Sequence, residues 1–216
     1  MPAEAKALED LILDDETRAA ISLIASRMQD TARIESLGGT LPTGVLFHGP
    51  SGTGKTAAAR ALAKEVGWAF LSVAGPDLLA DRSRLDKLFT EAKDIRPTLI
   101  FIDEADDVLR NRQTSGAPEL TNKLLTIMDG ADDRIKDIVW IAATNHPDQI
   151  DPALLRSGRF TEKVVFSKPP ADKLPQHVEA WLEKRSVQLD AQLKCEEICA
   201  KLNDETIADV EGVLQY

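Results

Sequence analysis

Cysteine is scarce in this chain, and that scarcity excludes several kinds of site. Only two of the 216 residues are cysteines, Cys195 and Cys199, and no histidine or third cysteine lies near them in sequence to complete a zinc set. Both fall in a stretch of helical character, where they could share a face. We therefore expect two reduced structural thiols and assign them no chemistry.

Long apolar runs and an excess of positive charge are also missing. No segment is long and apolar enough to cross a bilayer, and the first residues lack the apolar stretch of a signal peptide. Lys and Arg total 26 against 36 Asp and Glu, which gives a formal net charge of -10. Without an overall positive field, we expect neither nucleic acid nor a membrane as a partner. The sequence predicts a cytoplasmic protein.

What is present is a regular alternation of strand-like and helix-like segments. Helical spacing of apolar residues is found in 56–66, 84–93 and 119–128. The five best strand candidates are 45–48, 69–73, 98–102, 138–143 and 163–166. Such alternation is typical of a parallel sheet covered by helices on both faces, so we predict an α/β fold with five parallel strands.

The character of the chain changes after residue 166, where a stretch rich in Pro and Lys leads into helical sequence without a convincing strand. We predict a large α/β subdomain over 1–167 and a small all-helical lid subdomain over 168–216. With so few helices the core of the lid should be thin, and we expect the lid to be incomplete.

The strongest motif follows the first strand directly. Gly49 begins a complete G-x-x-x-x-G-K-[ST] pattern, a P-loop that opens an alanine-rich helix. Its backbone N–H groups would face nucleotide phosphates, with Lys55 reaching the β and γ phosphates and the Thr56 hydroxyl binding Mg2+. The predicted ATP- or ADP-binding residues of this loop are Pro50, Ser51, Gly52, Thr53, Gly54, Lys55 and Thr56.

Two adjacent carboxylates end the apolar strand at 98–102. Asp103 could hold Mg2+ through its water shell, and Glu104 could polarise a water molecule for attack on the γ-phosphate. An acidic loop at the end of a strand is the alternative, since Asp106 also lies here. With a complete P-loop upstream, the hydrolytic interpretation is favoured.

Two further segments carry candidate catalytic groups. Asn145 follows the strand at 138–143, where an uncharged amide could orient the attacking water, although a plain turn explains it equally well. Arg156 and Arg159 flank a turn at Ser157 and Gly158. Arginine suits phosphate oxygens, but either side chain could merely pair with an acidic neighbour.

Taken together, the segments 41–50, 101–106, 142–145 and 151–160 resemble the signature runs of the AAA family of AAA+ ATPases, in the clade that includes katanin and FtsH. The resemblance extends over about residues 8–214. It implies a fold of the P-loop NTPase type, with the five-stranded parallel sheet between helices and the lid behind it. Four ordered signatures make a chance match negligible.

The resemblance also implies roles for particular residues. Asn145 would be the sensor-1 residue, and Arg156 and Arg159 would be arginine fingers that reach the ATP site of a neighbouring subunit. Function would then need a homo-oligomeric ring, usually a hexamer. Asp129 and Gly130 occupy the place of the intersubunit-signalling element. Leu11 and Ile12 align with the segment that wraps the adenine, without its usual glycine.

Two departures from the family pattern limit what carries over. Members that thread polypeptides have an aromatic or bulky apolar residue followed by Gly in a loop after the second strand, but here residues 78–85 run straight toward the next helix. We therefore expect no normal pore loop. In the lid, Ile207 replaces a glycine that approaches the nucleotide, so the adenosine contact should be altered.

The sequence thus predicts Mg2+-dependent hydrolysis of ATP to ADP and phosphate, coupled to remodelling of a protein substrate or adaptor complex in a ring. The alternative is a regulatory or assembly module that binds ATP with little turnover and no pore threading. The shortened loop favours that alternative. Glu104 and the two arginines argue against it, because a pure binder does not need them.

Overall fold

The computed structural model describes residues 5–39, 41–106, 108–111, 118–130, 137–156, 158–185, 195–202 and 204–215. The predicted turn residue Ser157 lies outside the described residues. Five strands are formed: β1 Gly44–His48, β2 Ala69–Ala74, β3 Thr98–Asp103, β4 Ile138–Thr144 and β5 Phe160–Val165. The α-helices are α1 Asp15–Gln29, α2 Thr31–Ser36, α3 Lys55–Val66, α4 Gly75–Ala80, α5 Arg84–Asp94, α6 Pro118–Asp129, α7 Leu174–Lys184, α8 Cys195–Lys201 and α9 Ile207–Val213.

The strands form one five-stranded parallel sheet in the order β2-β3-β4-β1-β5. Side chains alternate between its faces, as the pleat of a strand requires. In β3, for example, Leu99 and Phe101 pack on the face covered by α1 and α3, whereas Ile100 and Ile102 pack on the face covered by α4, α5 and α6. The predicted α/β fold with helices on both faces is confirmed.

The last strand begins earlier than the sequence analysis placed it. We predicted a strand over 163–166, but β5 runs from Phe160 to Val165. This strand lies at an edge of the sheet, and its polar residues Thr161 and Glu162 hide the start of the apolar pattern. Phe166 follows the strand and donates its backbone N–H to the His48 carbonyl at 2.7 Å.

The predicted helices at 56–66, 84–93 and 119–128 correspond to α3, α5 and α6. The long helix α1 was not among the predicted elements, although its start is capped by Asp14, whose side chain accepts a hydrogen bond from the Thr17 N–H at 2.7 Å. After β2 the chain passes directly into α4, and the expected lack of a normal pore loop stays a prediction. Only three residues separate α4 from α5, and in this turn Asp81 accepts two hydrogen bonds from Ser83.

Behind the sheet, α7, α8 and α9 enclose a separate apolar cluster. Its members come from all three helices and the turn after α8, and they are Leu174, Val178, Trp181, Leu182, Cys199, Leu202 and Val210. Cys199 is buried and Cys195 half-buried, and the two are not joined in a disulfide. No group of three or more His, Cys, Asp or Glu side chains in the described chain is arranged to hold a metal ion. Among the same residues, no helix is long and apolar enough to cross a membrane.

Candidate active site

The P-loop connects β1 to α3 and needs glycine at its start. At Gly49 the backbone has φ 147°, and a Cβ placed there would lie 2.0 Å from the Phe166 carbonyl oxygen. No other residue could pass so close to the end of β5. Thr53 inside the loop is buried and donates its hydroxyl to the Pro50 carbonyl at 2.9 Å. The loop is thus held by its own contacts.

Lys55 is the buried cation of the site. Its Nζ donates to the carbonyl oxygens of Gly49 and Pro50, each at 2.7 Å, and to Oδ1 of Asn145 at 2.9 Å. Burial lowers the pKa of Lys55, and the nearby carboxylates of Asp103 and Asp106 oppose this shift. A cation with three donors at the mouth of a helix N-terminus is suited to phosphate oxygens.

The Asp103 carboxylate lies at the end of β3, a central strand of the sheet. β1, β4 and β3 are neighbours, and since parallel strands end at the same edge, the P-loop, Asn145 and Asp103 meet there. Asp103 Oδ2 accepts a hydrogen bond from the Thr56 hydroxyl at 2.6 Å. The predicted metal ligands, one from the P-loop helix and one from the end of β3, are therefore in contact.

Glu104 stands beside this pair on an unusual backbone. Its φ is 48°, and a Cβ on Gly75 would lie 2.2 Å from its carbonyl oxygen. The close approach of the start of α4 thus depends on a glycine. The Glu104 side chain itself is exposed and lines the cavity described below, where it is free to contact a water molecule.

A cavity of about 430 Å³ joins these groups. One end, where phosphates are predicted to bind, is formed by residues 51–56, Asp103, Glu104 and Asn145. Leu11 and Ile12 also line the cavity, and their contact with the adenine stays a prediction. Pro50 is not among the lining residues, and its carbonyl instead holds Lys55 and Thr53.

The helices α7 and α9, which belong to the predicted lid, form the other end of the cavity. Most of the residues that line this end were not predicted from the sequence. Ile207, Ala208, His177 and Glu211 all line the cavity from α7 and α9. Nε2 of His177 lies 3.2 Å from a carboxylate oxygen of Glu211, without the alignment of a hydrogen bond. Burial lowers the pKa of His177, and the Glu211 carboxylate opposes that shift. Nothing in the local sequence of α7 distinguished His177 from a surface residue.

The lid touches the P-loop through the residues on either side of Ile207. The Ala208 N–H donates to the Gly52 carbonyl at 3.2 Å. A Cβ on Gly52 would lie 2.5 Å from Oγ1 of Thr206. The backbone of the lid therefore approaches the P-loop closely, while the altered adenosine contact expected from Ile207 stays a prediction.

The two arginines lie in different environments. Arg159 donates to both carboxylate oxygens of Asp129, from Nε at 2.7 Å and from Nη2 at 2.6 Å. It also donates from Nη1 to the Ala153 carbonyl at 2.5 Å. Arg156 is exposed and makes no side-chain hydrogen bond or ion pair with the described residues. Only Arg156 is directly available to a second molecule.

Comparison with known proteins agrees with this geometry. Residues 45–168 match the ATPase family associated with various cellular activities (AAA), a match that covers more than half of the chain and every strand of the sheet but the first residue of β1. The chain belongs to the AAA family. The resemblance inferred from the four signature runs is confirmed.

Similar proteins include an ATP-dependent zinc metalloprotease FtsH from Thermobaculum terrenum, 36% identical in an alignment of 218 positions that covers 95% of this chain and 33% of that protein. A cell division cycle protein 48 homolog from Archaeoglobus fulgidus is 35% identical in an alignment of 228 positions that covers 98% of this chain and 31% of the relative. An FtsH from Mycobacterium leprae reaches 42% identity over 166 residues, covering 72% of this chain and 21% of its own length. The chain thus spans about a third or less of the length of each of these AAA relatives.

Proposed function

We propose that this AAA chain hydrolyses ATP to ADP and phosphate with Mg2+, and that it couples hydrolysis to the remodelling of a protein substrate within a ring of its own copies. The observation that carries the proposal is the meeting of Lys55, the Thr56–Asp103 pair and Asn145 at one edge of the sheet, with Glu104 on the same cavity. A site that only bound phosphate would need neither Asn145 nor Glu104.

The side chains of this site fit Mg2+ and a triphosphate. Mg2+ prefers oxygen ligands and is usually held by one or two protein groups together with substrate phosphates. Thr56 Oγ1 and Asp103 Oδ2, 2.6 Å apart, provide such oxygens. When bound, Mg2+ would neutralise charge on the β and γ phosphate oxygens. The backbone N–H groups of residues 51–56 and Nζ of Lys55 would hold the remaining phosphate oxygens.

Hydrolysis then needs a water molecule placed in line with the γ-phosphate. Glu104 would accept a proton from this water as its oxygen bonds to the γ-phosphorus, while the bond from that phosphorus to the β–γ bridging oxygen breaks and ADP leaves. The Asn145 amide would orient the water or contact the γ-phosphate without adding negative charge. Lys55, which contacts Asn145 at 2.9 Å, would exchange that contact for phosphate oxygens.

The ring part of the proposal rests on the arginines. Arg156 is exposed and would act as a finger in the ATP site of the neighbouring copy, in a homo-oligomer that we expect to be a hexamer. Arg159 would have to leave Asp129 before it could act in the same way. Asp129 ends α6 beside Gly130, so the proposed intersubunit-signalling element and the second finger are in direct contact.

The two kinds of similar protein described above support a protein as the substrate. The names of the similar proteins describe an ATP-dependent protease and a cell division cycle protein. The alternative of a regulatory module with little turnover is not favoured by these relatives. Because only a three-residue turn separates α4 from α5, we infer that the chain remodels its substrate without a normal pore loop.

The proposal is tested by measuring the ATPase rate at increasing concentrations of the chain, with the mass followed by light scattering in ATP and Mg2+. Specific activity should rise with concentration together with a ring-sized species, and Glu104→Gln should abolish turnover while ATP still binds. Glu91→Gln, an exposed carboxylate on α5, is the matched control and should leave the rate unchanged. Turnover that is independent of concentration would reject fingers acting between subunits.

A further inference from the structure

Asp106 lies just beyond the two catalytic carboxylates and has no part in the proposed chemistry so far. In the sequence, Asp106 is one more carboxylate in an acidic segment. In the structure, a single oxygen of its side chain, Oδ1, accepts three hydrogen bonds: from the Thr144 hydroxyl at 2.6 Å, the Asn145 N–H at 3.0 Å and the His146 N–H at 3.2 Å. All three donors belong to the segment that carries Asn145.

These contacts join the ends of two neighbouring strands. Asp106 follows β3, which delivers Asp103 and Glu104, whereas the three donors end β4 and follow it. The Ala105 N–H also donates to the Ala143 carbonyl at 2.8 Å, but that bond lies before the turn and does not hold residues 145 and 146. The His146 N–H is shared with the Thr144 hydroxyl oxygen of the same segment, at 3.0 Å. Among the described contacts, the Asp106 carboxylate alone bonds the backbone N–H of both Asn145 and His146.

The position of the Asn145 side chain depends on this backbone. An amide on a free turn would sample several rotamers and several backbone conformations, each at a cost in free energy when it is later ordered. With its backbone N–H fixed, Asn145 directs Oδ1 to Nζ of Lys55 at 2.9 Å. Hydrogen bonds to an ionised acceptor are about twice as strong as neutral ones, so a carboxylate is well suited to hold such a turn.

We propose that Asp106 is a positioning residue of the ATPase site, which fixes the segment 144–146 so that Asn145 faces the γ-phosphate and the attacking water. Asp106 touches neither substrate nor metal in this role. It acts through Asn145 and sets the geometry between the base on β3 and the amide on β4. The inference rests on the proposed function, because it assigns Asn145 to the γ-phosphate.

Its anchoring part can be tested without nucleotide. In Asp106→Ala, amide hydrogen exchange should speed up at Asn145 and His146, while the amides of β4 keep their protection. Asp106→Asn, which retains an oxygen acceptor, should restore most of the protection. Asp94→Ala removes an exposed carboxylate on α5 and is the control. Unchanged exchange at both amides in Asp106→Ala would overturn the inference, whatever the chain does with ATP.

Its functional part is a comparison of ATPγS with ADP. Losing the orientation of one hydrogen bond to a charged phosphate should raise the Kd for ATPγS roughly 5- to 20-fold, with the Kd for ADP changed by less than about twofold. Asn145→Ala should have the same effect, and the double variant should be no worse than either single one, because both remove one interaction.

The outcomes separate the two claims. Equal losses for ADP and ATPγS, or additive effects of Asp106→Ala and Asn145→Ala, would mean that Asp106 only stabilises the fold, and the inference would be rejected. If the unaltered chain bound neither nucleotide, the proposed function would fail, and the hydrogen-exchange result would still decide whether Asp106 anchors the segment.

Discussion

The nucleotide cavity has two walls of very different construction. The P-loop wall rests on the central strands β1, β3 and β4, which are buried on both faces, and its side chains are tied to each other by short hydrogen bonds. The lid wall comes from three short helices around one small cluster, and in the described chain a single backbone hydrogen bond, Ala208 to Gly52, links it to the P-loop. The phosphates would therefore meet a fixed surface and the nucleoside a movable one.

This difference fits the two tasks of an AAA ATPase. Electrostatic stabilisation of a reacting phosphate needs groups that do not reorganise during the reaction. A conformational change, in contrast, needs a part with few buried contacts that can open at small expense in free energy. In the proposed function, the sheet would provide the first and the lid the second. Four predictions test this difference between the P-loop wall and the lid wall.

The largest effect should come from emptying the two cores with the same substitution. Leu62→Ala in α3 and Leu174→Ala in α7 each remove a buried leucine side chain, and each should lower the free energy of unfolding by about 2–5 kcal/mol. The effect of Leu62→Ala should reach the whole chain, whereas Leu174→Ala should unfold the lid first.

Tryptophan fluorescence during urea unfolding can separate the two events. Trp181 lies in the lid cluster, and Trp68 and Trp140 lie in the clusters on the sheet, so Trp181→Phe versions report the sheet alone. Leu23→Ala in α1 is the control, because that side chain is 61% exposed. If lid and sheet signals shift together in Leu174→Ala, the two walls are one cooperative unit and the contrast is wrong.

The next effect concerns the fixed wall. Lys55→Ala should raise the Kd for ATP roughly 10- to 100-fold, since hydrogen bonds to charged groups contribute about 1.5–3 kcal/mol. Lys87→Ala on the exposed face of α5 should leave the Kd unchanged. Isothermal titration with Mg2+ and ATP measures both. A small effect of Lys55→Ala would show that the backbone of the P-loop is sufficient for binding.

A smaller effect is expected where the walls touch. Gly52 and Gly54 both have left-handed backbones, with φ 75° and 93°, so alanine strains either one by about 1–2 kcal/mol. Only at Gly52 would the added Cβ also meet the lid, at Thr206 and Ala208. Gly52→Ala should therefore increase hydrogen exchange at the Ala208 amide, and Gly54→Ala should not. Equal exchange in both variants would mean that the lid does not rest on the P-loop.

The smallest effect is a pH dependence outside the cavity. Hydrogen bonds from Arg159 hold the pKa of Asp129 below its usual value of 3.8. A carboxylate with a lowered pKa in the folded state stabilises the fold above its ordinary pKa, and this contribution is lost as the pH falls through the lowered value. The contribution is small, because Asp129 is largely exposed.

The stability of Asp129→Asn should accordingly fall below that of the original chain at neutral pH and approach it in acid, below about pH 3.8, the usual value for Asp. Thermal unfolding at several pH values measures the difference. Asp94→Asn, on an exposed position of α5, should follow the original chain throughout. A difference in stability that is the same at all pH values would show that the ion pair between Asp129 and Arg159 does not stabilise the fold.

Much of the fixed wall could be predicted from the sequence. The P-loop, the strand that ends in Asp103 and Glu104, and the strand before Asn145 are local patterns, in which the order of residues itself specifies a turn, a buried strand or a helix start. Leu11 and Ile12 were assigned to the adenine by family resemblance alone, and both line the cavity.

The lid wall and the long-range partners could not be found in this way. The local sequence shows no role for His177 or Glu211, and the signature run that contains Asp106 does not show which groups this carboxylate bonds. Asp129 meets Arg159 across 30 residues of sequence. The edge strand β5 was placed too late for a related reason, since its exposed polar residues carry a weaker pattern than a strand buried on both sides.

By itself, therefore, the sequence determined the family, the five-stranded parallel sheet and the candidate groups for phosphate, because each is specified by short, contiguous patterns. The tertiary structure alone decided that Asp106 holds the turn of Asn145, that Asp129 engages Arg159 while Arg156 stays exposed, and that α7 and α9 complete the cavity. These are contacts between distant segments, and a hydrogen bond depends on distances and angles that only the packed chain defines.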